Sequence, residues 1–384
     1  MKLGAIDGGR LLAAEHRRIF VESPDGELRP AGRLPVPHDG VDGLRFLGTT
    51  ASPMKPALER VFGRFPTVNA WWVDDRNLLA TSVRWLFHSG DGGATWTVRR
   101  RLPASSGPMG VLPTAVCRHE GSVYLGEYPL DPRTAPRLLR SDDGGRTWST
   151  FLELPDVRHV HAVQVDPYTG DLWVTTGDTD PACRLLRLRD GSLEPVGGGS
   201  QRWRAVQLAF TPDAVLWGMD CIYAPSNDVL RLDRDALDRA DPQPTVVGSL
   251  PSSVYYAETV AVDDEHLVVC STAAEIGSDS TAAGRRSRSV DRALVVASSS
   301  ATGHSAWATI GSYRRRSPPI TWANPGGRLP VPGAYVFLAA DDERGLFVNP
   351  YNTAVDDGAI IRITTERLAA AVHGASGRAP VAID

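Results

Sequence analysis

His159 and His161 stand two residues apart. On a strand, that spacing puts both imidazoles on the same side. Such a pair can act as a general base and its partner. It can instead bind a divalent metal, with Glu127 or Asp178 as a further ligand. Asp178, Asp180 and Asp220 offer paired carboxylates for glycosidic chemistry, with Glu127 or Glu258 as an acid of raised pKa. Gly177-Asp178-Thr179-Asp180-Pro181 is equally ordinary turn chemistry. A lyase would use one of the two histidines as base, Tyr128 or Tyr256 as acid, and Arg204 to neutralise an anion. Trp72, Tyr255 and Tyr256 offer rings on which a sugar can stack, although packing is the commoner role for such pairs. Asn349 and Tyr351 add polar and aromatic contacts for a bound substrate.

These residues must be positioned by strands. Strand, turn, strand recurs along the chain, and no helical pattern longer than about ten residues interrupts it. Residues 10–34 read as three strands and 35–66 as a long irregular connection over one face, with a short helix near Pro56–Arg60. Further units follow at about 67–103, 109–155, 158–198, 202–250 and 254–311, and the last begins near Tyr335. Gly277–Asp291 reads as an exposed Arg- and Ser-rich insertion, and Thr365–Val372 as a terminal helix.

Two stretches share one pattern, S-x-D-G-G-x-T-W: Ser89-Gly90-Asp91-Gly92-Gly93-Ala94-Thr95-Trp96 and Ser141-Asp142-Asp143-Gly144-Gly145-Arg146-Thr147-Trp148. The glycine pair supplies positive φ, the Asp accepts backbone N–H groups, and the Trp folds back over the turn. A repeat of about 50 residues built from short strands points to a propeller or solenoid. The octapeptides resemble the Asp-box, or BNR, repeat of sialidase-like β-propellers. That resemblance implies an all-β propeller, read here as seven four-stranded blades with six as the alternative. The N- and C-terminal strands would close the ring in a single shared blade. In that family the Asp-box is a structural turn away from the active site. The resemblance therefore places the site at the opposite mouth, where second strands end and first strands begin. Glu127-Tyr128, Asp178, Asp220, Glu275 and Asn349–Asn352 follow second strands. His159, His161, Arg204, Tyr255, Tyr256 and Glu258 sit at or on first strands. The Phe/Tyr-Arg-Ile-Pro motif of sialidases is missing. Its nearest counterpart, Arg17-Arg18-Ile19-Phe20, lacks the Pro, so sialidase activity is not transferred.

Composition narrows the classes. A net charge of −4 and a pI near 6.2 argue against a general nucleic-acid or anionic-membrane surface. No apolar run approaches the roughly 20 residues of a membrane span, and no signal peptide is legible. The four cysteines, widely spaced, read as reduced thiols in a cytoplasmic protein. Two functions remain. One is an enzyme acting at the mouth on a polar, sugar-like or anionic small molecule, as a glycoside hydrolase, a lyase or an isomerase or cyclase. It needs no cofactor beyond a divalent metal at His159 and His161. The other is a non-catalytic propeller that binds a small ligand or protein there.

Overall fold

The computed structural model describes residues 1–51, 54–62, 65–105, 108–277, 285–316 and 333–376. Its strands pair into seven antiparallel sheets, the blades of a β-propeller. Blade one is Lys2–Asp7, Arg10–Glu15, Arg18–Glu22 and Leu28–Arg33; blade two is Asn69–Trp72, Leu78–Ser82, Trp85–Ser89 and Thr97–Arg101. Blade three is Val116–His119, Ser122–Gly126, Arg137–Ser141 and Ser149–Glu153; blade four is Val160–Val165, Leu172–Thr176, Arg184–Arg189 and Ser192–Gly198. Blade five is Leu208–Phe210, Ala214–Gly218, Asn227–Asp233 and Thr245–Leu250; blade six is Val254–Val262, Glu265–Thr272, Arg292–Ser299 and Ala308–Arg314. Blade seven has three strands, Tyr335–Asp341, Gly345–Tyr351 and Ile361–Ile363. Second strands are deeply buried: Leu78–Ser82, Ser122–Gly126, Leu172–Thr176 and Ala214–Gly218 are buried at every residue.

Two expectations are corrected. Blade one does not lack an inner strand, because Lys2–Asp7 pairs with Arg10–Glu15. The first blade is therefore complete within the N-terminal segment, and among the described residues the terminal strands do not share a sheet. Close packing hides this strand in the sequence. A Cβ on Gly4 would stand 2.9 Å from the Ala70 carbonyl oxygen and 3.0 Å from that of Leu12, so a small residue replaces the usual bulky strand former. The 35–66 segment holds two helices rather than one short one, α1 (Gly40–Thr50) and α2 (Met54–Phe62). Helix α1 buries Phe46 against Phe87, with ring centroids 5.7 Å apart. That contact stabilises a helix whose three glycines disfavour it. Helix α3 (Thr365–Ser376) closes the described chain. Residues 278–284 of the insertion lie outside the described residues.

The chain divides into two compact units. One holds Met1–Val165 and Gly170–Gly177; the other holds Asp166–Thr169, Asp178–Arg315 and the chain from Gly333. In the first, both octapeptides form the same turn. Ser89 Oγ donates to Asp91, the Gly93 N–H donates to Ser89 Oγ, and Thr95 N and Oγ1 donate to Asp91 at 2.9 and 2.6 Å. The Trp96 indole N–H donates to the Gly93 carbonyl at 2.8 Å. Ser141, Asp143, Gly145, Thr147 and Trp148 repeat every bond. The Gly92 N–H donates to the Arg76 carbonyl, so the turn joining the first two strands shares this end of the blade.

Candidate functional site

In the second unit the polar residues gather where second strands end and first strands begin. Trp203 stacks on Trp217 with centroids 5.4 Å apart, and the Trp217 indole donates to the Arg202 carbonyl. These contacts aim the next residue, Arg204. Its Nε and Nη2 meet Asp220 Oδ2 at 3.1 and 3.0 Å, and Nη2 meets Asp178 Oδ1 at 3.1 Å. Its Nη1 donates to the Asp178 carbonyl at 3.2 Å. Burial works against the guanidinium's charge, but the Asp220 and Asp178 carboxylates hold its pKa above the ordinary value. Asp178 pays a strain: its φ is +92°, rarely adopted by a residue with a Cβ. Arg204 and Gln201, which both donate to its carbonyl, hold it there. Asp220 is 3% exposed. Its Oδ2 serves Arg204, whereas Oδ1 is buried with no hydrogen-bond partner among the described residues.

Blade six supplies the other carboxyl. The first strand carries an irregularity: Val254 pairs with Thr272 and Tyr256 with Ser271, so Tyr255 is the extra residue. The bulge aims its hydroxyl at Glu275 Oε1, 2.8 Å away, and Ser253 Oγ donates to Oε2 at 3.3 Å. Burial, then the nearby Asp220 charge, raises the Glu275 pKa to about 7. Burial and the Glu275 charge likewise hold the Tyr255 phenol well above its usual value. Tyr335 stands edge-on to Tyr255 with centroids 5.4 Å apart, its own phenol raised by burial and by Glu275. The sequence placed Glu275 in this loop series but did not single it out, and it missed Tyr335. Nothing local marks either; long-range pairing brings them together.

The first unit repeats the construction. Val160 pairs with Thr176 and Ala162 with Thr175, so His161 occupies a bulge at the start of its strand. His159 and His161 are 2% and 1% exposed, with ring centroids 6.5 Å apart. Tyr128 packs 3.8 Å from His159 and 6.0 Å from His161, centroid to centroid. Glu127, fully buried, is held by both arms of Arg137 at 2.8 and 2.7 Å. Both histidines are of a ligand type that can hold a divalent metal ion.

The remaining predicted residues lie elsewhere. Glu258, three residues along its strand from Tyr255, accepts from Gln207 Nε2 at 3.0 Å, and burial raises its pKa to about 7. Tyr256 and Tyr351 both pack on Phe337, with centroids 5.2 and 5.9 Å away. Asn349 is fully buried and donates to the Ala359 carbonyl. Trp72 pairs with Leu78 beside the turn that joins its strand to the next, under the Arg10 guanidinium at 4.4 Å. That is the octapeptide end of its own blade.

No protein-family model matches the chain, and no curated protein matches it. Solved structures do. A chain of a mitotic checkpoint complex is similar over 94% of this chain and 89% of that one, with TM-score 0.51 and 9% identity. An ancestral GH74 enzyme aligns with 91% of this chain at TM-score 0.46 and 10% identity; the match spans 52% of that chain. A structure described as YCF48 bound to D1 peptide aligns with 79% of this chain and 94% of that one, at TM-score 0.39 and 12% identity. At such identities the likeness is one of fold. These neighbours include an enzyme and proteins seen in complexes, so they leave the activity of this chain open.

Proposed function

We propose that the chain is an enzyme that cleaves a polar, sugar-like substrate by acid–base chemistry, in the glycoside hydrolase or lyase class. Glu275 is the acid and Asp220 the base. The observation that carries this reading is Asp220 Oδ1, a buried carboxylate oxygen with no hydrogen-bond partner among the described residues, in a cluster where Glu275 keeps its proton to about pH 7. Glu275 would give its proton to the leaving oxygen, with the Tyr255 hydroxyl orienting the carboxyl. Asp220 Oδ1 would take a proton from the attacking water, or from carbon in an elimination. Arg204 then positions Asp220 and the strained Asp178 segment. The Asp-box resemblance agrees with a site at the end of the blade opposite to the octapeptides. A divalent metal at His159 and His161 is the cofactor this reading admits; elemental analysis of the purified protein, with both histidines changed to Ala as control, tests it. Four unpaired thiols favour a cytoplasmic setting.

The test follows reducing-end release from underivatised glycosides and the ultraviolet absorbance of unsaturated products from uronides. Glu275→Gln and Asp220→Asn should each lower kcat about 10²–10⁴-fold. Because the acid must carry its proton, kcat/KM should fall as pH rises through about 7. Turnover unchanged in both variants would sink the reading.

A further inference from the structure

Gly277, two residues beyond Glu275, borders a cavity of about 520 Å³ that is also walled by Tyr223, Ala224, Arg286, Arg288 and Ser289. That volume suits a small ligand. Ala224 and Arg288 also wall a narrow space of about 10 Å³ that reaches Ser253 and Glu275. Building on the reading above, we infer that this cavity receives an oxyanion, a carboxylate or phosphate carried by the substrate, so that the substrate is an acidic sugar rather than a neutral one.

Among the described residues, the lining carries two guanidinium groups, from Arg286 and Arg288, and hydroxyls from Ser287 and Ser289, and no carboxylate. Guanidinium forks match carboxylate and phosphate geometry. Burial raises the Tyr223 phenol to about 12, so it remains a neutral donor at physiological pH. The wall is braced before any ligand arrives. Arg285 stacks 5.0 Å over the Tyr223 ring, and Arg288 Nη2 donates to the Pro251 carbonyl at 2.5 Å. The Gly277 N–H donates to Ser289 Oγ at 3.0 Å, and the Val290 N–H to the Glu275 carbonyl at 2.8 Å. A Cβ on Gly277 would stand 2.8 Å from the Ser287 carbonyl oxygen, so the two flanks of the loop meet only because this residue is glycine. The Val290 bond ties the arginine-bearing flank to the backbone of the proposed acid. An anion seated in the cavity is thereby coupled to the group that would act on the rest of the molecule.

The experiment measures binding of D-glucuronate, inorganic phosphate and D-glucose to the full chain by calorimetry. The wild type should bind glucuronate or phosphate, more weakly as salt rises, and should not bind glucose. Glucuronate alone would name a carboxylate and phosphate alone a phosphate; either supports the inference. Arg286→Ala/Arg288→Ala should weaken that binding ~10-fold or more while a cooperative thermal melt shows that the chain stays folded. Equal binding of glucose, no anion binding by the wild type, or unchanged affinity in the double variant would overturn it. Glu275→Gln should keep anion affinity. If the arginine variant loses the anion but no acidic sugar is ever turned over, the catalytic reading fails and the anion pocket stands.

Discussion

Three glutamates show how environment sorts one side chain into different roles. Glu127 and Glu275 both follow second strands, yet Glu127 meets a two-armed Arg137 and Glu275 meets a phenol and a serine hydroxyl. Glu258 meets the Gln207 amide. A buried carboxylate gripped by a guanidinium is a structural tie, whereas one that keeps its proton near neutrality can donate it. Removing one partner of the tie should therefore be costly. Arg137→Met leaves a fully buried Glu127 uncompensated and should destabilise the fold by about 3 kcal/mol in urea unfolding, because one partner of a buried pair is lost. Adding Glu127→Gln to Arg137→Met should recover part of that loss. If Glu127 were a reacting group instead, Glu127→Gln would abolish turnover and leave stability nearly intact.

Local chemistry made the repeating elements legible, and long-range pairing hid the site. Each octapeptide satisfies itself within five residues, from Ser89 to Gly93 and from Asp91 to Thr95, so its turn can be read from eight letters. The same sequence could not reveal that Tyr255 and His161 occupy bulges, because a bulge exists only against a partner strand. Helix α1 was unreadable for a different reason, since Phe46 packing overrides its glycines. Close approach between blades is a third hidden constraint. Gly126 and Gly218 end equivalent strands, and a Cβ there would stand 2.2 Å from Val160 Cγ1 and 2.4 Å from Val254 Cβ. Both valines open the next first strand, and the Val254 N–H donates to the Met219 carbonyl, one residue before Asp220. Gly218→Ala should thus push blade six from Asp220 and cost about 1–3 kcal/mol from overpacking. Gly218→Ala/Val254→Ala should regain stability in the same thermal melt. A single variant as stable as the wild type would show that the approach is looser than described.

At the scale of the whole molecule, buried acids couple folding to pH. Burial holds Glu258 at about pKa 7, against 4.5 for the ordinary carboxyl. Between those values the unfolded chain has released a proton that the folded chain keeps. Stability from this group is therefore complete below pH 4.5 and is lost as pH rises through about 7. Glu275, with its pKa also raised to about 7, has the same sign. Other groups oppose this trend. Burial lowers His304 from 6.5 to about 4, so its contribution is present above 6.5 and is lost as pH falls through 4. A pH profile of the wild type alone would mix these terms, but a difference between proteins isolates one. Glu258→Gln replaces the carboxyl with a neutral amide of similar shape, and its stability relative to wild type should rise from pH 5 to pH 8. The expected gain is on the order of 1–3 kcal/mol, with the lower part favoured by partial exposure of the side chain. Chemical denaturation at the two pH values measures it directly. A gap of the same size at both would mean that Glu258 titrates as freely in the folded chain as in the unfolded one, and that its strand is wetter than its burial implies.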